Sequence, residues 1–393
     1  MPKGSELIVE KTSYQYKGKR LQISKCYNEP AFGSHTILTD DPFAYVEFYF
    51  SNKKKAMKYR DGSVSKAKYG KEQKYHYSFY WKQAKNFYDA TKRLPLEAVP
   101  LTAYYCMLNG VKAFLAYKSK YIEDFVVDFS QHGLFESKTV EDEEGLASIS
   151  VYRKDIGVFP LFGGTIEPKF DEIWKSGKFN CISLKKLLYN LAFIHRAYIT
   201  TYNQSRQDRL PELFLPVIAG QAPHYCKGND NSLYLRVEID KYFFPVSANT
   251  IPTRWQKDIS EQFRIDEKEK FHLLSVAGAK RNSNGSLTSE LKTLNDVLRK
   301  EFQYIRSNRR LWYLKASSSK NPNIVNLNSM LITMAVMHRI SEIVRYKPEQ
   351  LEHLMGSKES WLLHEFLTLA LDQFIDELAA EITGEELMCT GMK

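Results

Sequence analysis

Residues 329–346, SMLITMAVMHRISEIVRY, and residues 361–384, WLLHEFLTLALDQFIDELAAEITG, carry the strongest structural signal in the chain. In both segments the apolar residues recur three and four positions apart, which predicts two helices that each bury one face. Ser329 is the expected N-cap of the first helix, and Gly384 is expected to follow the end of the second. Pro348, between them, predicts the start of a short helix, because proline lacks the N–H that has no partner at that position.

Three more helices are predicted upstream of this pair. Two cover residues 78–94 and 101–117, and the third begins at Ser183 and runs to about residue 203. In the second of them, Asn109 and Lys112 border an apolar stripe because they lie close together on the helix surface. These two side chains either contact a ligand or hydrogen-bond a neighbouring helix end.

Strands are predicted where apolar residues alternate with polar ones or form short runs between turn residues. PFAYVEFYF at residues 42–50 predicts one strand, and ASISVYR at 147–153 and GVFPLFGG at 157–164 predict two short ones. The clearest alternation is SLYLRVEIDKYF at 232–243, which places Arg236 and Glu238 opposite an aliphatic face and predicts a half-buried antiparallel strand. FHLLSVAG at 271–278 predicts a further strand.

Together these elements predict an α+β protein that is mainly α, a helical bundle with an inserted β-rich region in the middle. With 393 residues and 43% hydrophobic content, the chain is long enough for two or three domains. Four regions are expected: an N-terminal extension with a strand and a basic arm (1–76), a helical part (77–135), a β-rich middle with the helix at 183–203 (136–280), and a C-terminal helical part (281–393).

Several classes of protein are excluded or disfavoured. The longest apolar runs are far shorter than the ~20 residues of a membrane span, so the chain is predicted to be cytoplasmic and free of membrane contact. Five scattered cysteines fit a reducing compartment. Cys226 lies two residues after His224, but no second ligand pair has zinc-site spacing, so no metal is predicted. No cofactor is predicted either, because the chain lacks the GxxxxGK[ST], GxGxxG and GxSxG motifs.

Two long runs resemble the YaaC-like family. They are SEIVRYKPEQLEHLMGSKESWLLHEFLTLA at 341–370 and YWKQAKNFYDATKRLPLEAVPLTAYYCMLNGVKAFLAY at 80–117, followed by the pair His132 and Gly133. The match departs from the family where Leu351 replaces an aromatic residue. The resemblance covers about residues 78–384 and implies one helical bundle built from the two runs, without an established activity.

The helical run at 83–115 also resembles the HEPN superfamily, many of whose members cleave RNA without a metal through an Arg-x4-6-His motif. That spacing is absent here. The nearest approaches, Arg264 to His272 and Arg345 to His353, have seven residues between Arg and His. The HEPN-like resemblance implies a bacterial protein of antiviral defence.

Two basic segments are candidate nucleic-acid contacts in a chain of net charge +10. The first is the arm at residues 53–75, and the second is a long helix predicted from Ser289 to about Tyr313. A solvated loop and a solvated helix face are the alternative interpretations. The candidate residues are Lys53, Lys54, Lys55, Lys58, Arg60, Arg299, Arg306, Arg309 and Arg310.

One polar group on the helix at 329–346 is a candidate catalytic site. His338, Glu342 and Arg345 share one face, where the imidazole could exchange protons and the guanidinium could bind phosphate. The alternative is an ordinary ion-pair row that stabilises the helix. His353 is a further candidate, and His132 is either a general base in a cleft or a turn residue.

The first functional hypothesis is a non-enzymatic intracellular binding protein that acts in a bacterial complex. Its basic surfaces would contact nucleic acid or a protein partner, which could be a second copy of the chain. The alternative is a metal-independent HEPN-type RNase that uses His338 or His353 with Arg345. A scaffold that binds only protein is a third possibility.

Overall fold

The computed structural model describes residues 7–60, 76–118, 131–137, 144–203, 210–280, 286–317 and 321–391, with the backbone alone at 53–60 and 76. The described residues form twelve α-helices, and short 3-10 turns connect several of them. The helices are α1 (Pro42–Arg60), α2 (His76–Thr91), α3 (Val99–Lys118), α4 (Val158–Ile166), α5 (Phe170–Ile173), α6 (Leu184–Tyr189), α7 (His195–Tyr202), α8 (Thr253–Gln256), α9 (Leu287–Leu298), α10 (Ser329–Tyr346), α11 (Pro348–Met355) and α12 (Ser360–Thr383).

The strands form five small sheets, so the α+β, mainly α prediction is confirmed. The strands are β1 (Val9–Ser13), β2 (Gln15–Tyr16), β3 (Lys19–Arg20), β4 (Ile37–Leu38), β5 (Leu134–Glu136), β6 (Ser150–Arg153), β7 (Ile182–Ser183), β8 (Phe214–Pro216), β9 (His224–Gly228), β10 (Leu233–Glu238), β11 (Phe263–Ile265), β12 (His272–Ser275), β13 (Phe302–Ile305), β14 (Leu311–Lys315) and β15 (Leu387–Met388).

The chain divides into two compact units, each made of separate segments. The helical unit consists of Thr39–Leu210 and Val325–Thr383, and the sheet unit consists of Met1–Leu38, Pro211–Ile324 and Gly384–Lys393. The four regions expected from composition remain a prediction; the two units combine segments from several of them. No helix in the described part combines the length and apolar character needed to cross a membrane.

The helical unit is organised around α3, which packs against α2, α10 and α12. Every residue of α10 from Ser329 to Ser341 is buried, so this helix is enclosed rather than amphipathic. Its N-cap is Asn328, not Ser329: the Asn328 carboxamide oxygen accepts a hydrogen bond from the Met330 N–H at 2.8 Å. The Ser329 hydroxyl instead donates to Glu377 at 2.5 Å. The Pro348 helix start and the glycine after α12 are as predicted, with Gly384 at φ +76°.

Two predicted strands of this unit are helices instead. Residues 42–50 begin α1, where the Asp41 carboxylate accepts from the Ala44 N–H at 3.0 Å and Phe43, Val46 and Phe50 are buried at helical spacing. Residues 157–164 lead into α4, which buries Phe159, Phe162 and Ile166. Both segments are rich in aromatic residues with β propensity, but the spacing of the buried side chains is three and four.

The helix predicted at 183–203 is broken into α6 and α7. Asn190, which is fully buried, ends α6 by donating to the Lys186 carbonyl at 2.8 Å. Its carboxamide oxygen accepts from the Val325 N–H at 2.8 Å. Asparagine side chains compete with the backbone for hydrogen bonds in this way, which favours a helix end over a helix interior.

The sheet unit contains an antiparallel sheet in the order β1-β9-β10-β12-β11, so strands are present in the segments 232–243 and 271–278 as predicted. The half-buried prediction for β10 is wrong, because Tyr234 and Arg236 on its polar face are buried as well as its aliphatic face. A second sheet has the order β13-β14-β8, and β15 pairs in parallel with β4. The long helix predicted at 289–313 is wrong beyond Leu298. The chain after α9 forms the β13-β14 hairpin, since Phe302, Tyr304, Trp312 and Leu314 are buried at alternating positions and residues 306–310 connect the two strands.

Candidate functional site

Tyr104, His132 and His338 bring their rings together in the helical unit. The ring of Tyr104 lies 4.8 Å from that of His338 and 5.3 Å from that of His132, and the two imidazoles are 5.9 Å apart, all between centroids. Lys112 and Arg345 are close enough to influence His132 electrostatically. We call these five residues the histidine cluster.

Three elements position the cluster. Tyr104 and Lys112 are two helical turns apart on α3, and His338 and Arg345 are two turns apart on α10. His132 precedes β5, and its main chain is fixed by α4: the Gln131 and His132 carbonyls accept from Val158 and Phe159 N–H groups at 3.0 Å.

The glycines at 133 and 157 let these two backbone segments approach closely. A Cβ at Gly133, where φ is +83°, would lie 2.4 Å from the Pro160 ring. A Cβ at Gly157, where φ is +130°, would lie 2.6 Å from the Gly133 nitrogen. Only glycine fits such positions without strain, so the His132–Gly133 pair is what places the imidazole against α3 and α10.

Burial keeps the interior of the cluster uncharged. Tyr104 is completely buried and His338 is 2% exposed. Burial, followed by the charge of Glu342, raises the pKa of Tyr104 above its usual range. Burial, followed by His132 and the nearby arginines, holds the pKa of His338 well below its usual range. Among the described residues, neither the Tyr104 hydroxyl nor the His338 Nδ1 has a hydrogen-bond partner.

The outer part of the cluster is half-buried and cationic. Burial and then the positive charges of Lys112 and Arg345 lower the pKa of His132, which favours a neutral imidazole at pH 7. Burial also lowers the pKa of Lys112. No carboxylate in the described part of the chain pairs with Arg345, whose Nε donates to the Ser341 carbonyl at 3.4 Å.

The predicted His338, Glu342 and Arg345 do share one region, but Glu342 does not orient the imidazole. Its carboxylate lies 3.7 Å from His338 Nδ1, which is too long for a hydrogen bond. Glu342 is instead 3.4 Å from Arg339, a residue 2% exposed that also pairs with Glu136 at 2.8 Å. Burial raises the pKa of Glu342, although Arg339 opposes the shift.

Other candidates lie outside the cluster. His353 is exposed on α11, a separate helix. Asn109 donates to the Tyr105 carbonyl of its own helix at 2.8 Å, so it is a structural residue. The sequence analysis singled out Lys112 on α3 but not Tyr104. Tyr104 lies eight residues before Lys112 and so close to the same helical face, which was the signal that could have identified it.

The predicted nucleic-acid contacts are dispersed. Lys53, Lys54, Lys55, Lys58 and Arg60 lie on α1, but their side chains are outside the described part, as is the rest of the arm at 61–75.

The four arginines do not form one helix face. Arg299 is 1% exposed and donates to the Lys25 and Phe302 carbonyls at 3.0 and 2.6 Å, so it does not contribute to the surface. Arg306, Arg309 and Arg310 lie at the turn between β13 and β14, where Arg310 makes two hydrogen bonds of 3.0 Å to the Glu386 carboxylate.

No three His, Cys, Asp or Glu side chains within the described ranges are grouped as a metal site. Comparison with curated proteins and with solved structures gave no match. A family model described as YaaC-like Protein matches residues 46–382, which includes most of the helical unit and much of the sheet unit. The HEPN relationship stays a prediction. The extent of this match shows that the chain belongs to the YaaC-like family.

Proposed function

We propose that this protein binds nucleic acid and that the histidine cluster holds one phosphate of it. The observation that supports the proposal is a half-buried, neutral His132 beside two buried polar atoms without protein partners, with Arg345 and Lys112 at the rim. A buried polar group without a hydrogen bond costs roughly 1–3 kcal/mol, so a ligand that reaches these atoms is favoured.

The chemistry of the rim favours an anion. Arg345 and Lys112 supply N–H donors that carry charge, and Arg345 forms no ion pair with a carboxylate of the described residues. Charge-assisted hydrogen bonds to phosphate oxygens are about twice as strong as neutral ones. A neutral His132 imidazole adds a hydrogen-bond donor or acceptor without repelling the cationic side chains of Lys112 and Arg345 beside it.

A polyanion fits better than a small phosphate ester. The chain carries a net charge of +10, and the candidate lysines of α1 belong to the same helical unit as the cluster. Each Lys or Arg that neutralises a phosphate releases counterions, and this gain grows with the length of the ligand. Action within a bacterial complex, antiviral defence and a cytoplasmic location remain predictions.

Fluorescence anisotropy with labelled single-stranded RNA and DNA oligonucleotides, from 50 to 300 mM salt, tests the proposal. We expect Arg345→Gln and Lys112→Gln each to weaken binding about tenfold and to reduce the salt slope by about 1. Lys169→Gln, which changes an exposed lysine of the same unit, is the control and should leave both quantities unchanged. Unchanged affinity in both cluster variants would contradict this site.

A second candidate function is metal-independent RNA cleavage, which the neutral state of His132 favours. His132 would take the proton of a ribose 2′-hydroxyl, and the 2′-oxygen would then attack the neighbouring phosphorus. The bond from phosphorus to the 5′-oxygen would break, with Lys112 protonating the leaving oxygen and Arg345 holding the phosphate. The products would be a 2′,3′-cyclic phosphate and a 5′-hydroxyl.

Incubating labelled RNA with the protein in a metal chelator separates the two functions. A ribonuclease should lose at least a hundredfold in rate in His132→Ala and keep its rate in His353→Ala, whose histidine lies on α11. Binding without cleavage by the wild-type protein would leave the non-enzymatic binding function and exclude the ribonuclease. Cleavage that survives His132→Ala would exclude this mechanism.

A further inference from the structure

The polar face of β10 lies in the sheet unit and has no part in the function proposed above. Arg236 of β10 is directly opposite His224 of β9, and Glu238 is directly opposite His272 of β12. These four side chains form the floor of an open cleft of about 530 Å³, and its border includes Lys11, Thr12, Ser13, Gln15 and Arg20. Small-molecule sites have volumes of roughly 300–1,000 Å³, so the cleft has the size of a ligand site.

The floor is fixed by ion pairs. Arg236 is 3% exposed, and its guanidinium donates to Asp266 at 2.8 Å and to Glu269. Glu269 also accepts from Lys11 Nζ at 2.5 Å. The two positive and two negative charges of this group neutralise one another. None of its side chains, which are Lys11, Arg236, Asp266 and Glu269, is therefore available as the main partner of a ligand.

Arg20 is a cation whose charge is not neutralised. It donates to His224 Nδ1 at 2.8 Å, and because a guanidinium has no acceptor, that nitrogen must be unprotonated. Burial and then the charge of Arg20 lower the pKa of His224 to about 4, so the imidazole is neutral. No carboxylate in the described part of the chain pairs with Arg20.

Glu238 is the corresponding anion. Its nearest basic group is His272, whose Nε2 lies 3.8 Å from the carboxylate, too far for a hydrogen bond. Burial and then Arg236 lower the pKa of His272, so this imidazole does not supply a full positive charge at pH 7. The cleft therefore presents one guanidinium and one carboxylate that are both only partly satisfied.

The remaining lining is polar rather than aromatic. Thr12, Ser13, Gln15 and Gln221 supply hydroxyl and amide groups, and among the described residues the only rings that line the cleft are the two imidazoles. A nucleobase would have no large aromatic surface on which to stack. The lining instead favours a small, strongly polar ligand.

We propose that this cleft binds an amino-acid-type zwitterion, either a free amino acid or a short peptide with unblocked ends. Its carboxylate would contact Arg20, because the planar guanidinium fork matches a carboxylate. Its ammonium group would contact Glu238, and the hydroxyl and amide groups of the rim would receive the ligand's remaining polar atoms.

Isothermal titration calorimetry on the full chain tests this inference. The probes are the twenty proteinogenic amino acids and a set of unblocked dipeptides and tripeptides, each at up to 10 mM. Every ligand that binds is compared with its N-acetylated and its C-amidated form. We expect blocking either end, Arg20→Gln or Glu238→Gln to weaken binding at least tenfold. Arg264→Gln, which removes an exposed charge from β11, is the control and should leave the affinity unchanged.

Three results would overturn the inference. They are the absence of binding by every unblocked probe, equal affinity for blocked and unblocked forms, and binding that survives both Arg20→Gln and Glu238→Gln. Inorganic phosphate is titrated in parallel, and tighter binding of phosphate than of any zwitterion would make the cleft an anion site and also reject the inference. Circular dichroism of each variant shows whether it is folded, and Glu238→Asp, which keeps the carboxylate, should retain more affinity than Glu238→Gln.

Discussion

His338 shows how one buried residue makes the stability of this protein depend on pH. Its neighbours are Tyr104, His132, Glu342, Arg339 and Arg345, and the folded-state pKa is well below the unfolded one. The unfolded chain therefore binds more protons below pH about 6.5, and the native state loses stability as the pH falls through that value.

We expect His338→Phe to make unfolding less sensitive to acid. Between pH 7 and pH 5 the wild-type protein should lose up to about 1.4 kcal/mol per pH unit through this one group, and the variant should lose less. Urea unfolding followed by circular dichroism at several pH values measures the effect, with His353→Phe as the control at an exposed histidine of α11. Parallel pH profiles for wild type and His338→Phe would contradict the assignment.

The sequence predicts the grouping of some residues of the histidine cluster but not of others. The spacing of His338, Glu342 and Arg345 predicted a shared face, which is what α10 provides. The contribution of His132 depends on the contact of Gly133 with Pro160, which lies 27 residues further along the chain. No periodicity in a single sequence contains that information, because it arises from tertiary packing.

At the scale of the element, α4 contains two adjacent glycines in opposite environments. A Cβ at Gly163 would lie 2.5 Å from the buried Phe170 ring, whereas a Cβ at Gly164 would meet nothing within 4 Å. We expect Gly163→Ala to destabilise the protein by about 1–3 kcal/mol through overpacking. Gly164→Ala should stabilise it by about 0.5–1 kcal/mol, because alanine restricts the unfolded chain.

Chemical unfolding of these two variants, one residue apart, provides its own control. The denaturant concentration at the midpoint of unfolding should fall for Gly163→Ala and rise for Gly164→Ala, relative to wild type. If both moved the same way, the close packing of α4 against Phe170 would not be the cause.

The elements predicted correctly from the sequence are those in which the spacing of apolar residues and the length of the segment indicate the same kind of element. Residues 232–243 alternate over a length typical of a strand, and α12 repeats its apolar stripe over six turns. The errors at α1, α4 and the β13-β14 hairpin come from short segments in which aromatic residues fit either period. In α1 the Asp41 cap favours a helix, and after α9 the turn at residues 306–310 favours a pair of strands.

At the scale of the molecule, the sheet unit is assembled from three distant parts of the chain. β15 pairs with β4, Leu387 is 1% exposed, and its carbonyl accepts from Lys25 Nζ at 2.5 Å. We expect Leu387→Ala to cost about 2–5 kcal/mol and to increase hydrogen exchange across residues 211–324 before it affects the helical unit. Met388→Ala, at the half-buried neighbouring position, is the control and should have a smaller effect.

Hydrogen exchange with mass spectrometry makes this comparison segment by segment. An increase confined to the few residues around β15 would show that the strand is peripheral. An equal increase in both units would show that they unfold as one.

The pairing of β4 with β15 also has a consequence for biosynthesis. About 350 residues separate the two strands, so β4 leaves the ribosome long before its partner exists. At roughly 5–20 residues per second, the wait lasts on the order of tens of seconds. During that time the helical unit is translated while β4 stays unpaired, so nascent chains that stall before residue 387 should be recognised by chaperones and proteases as incomplete.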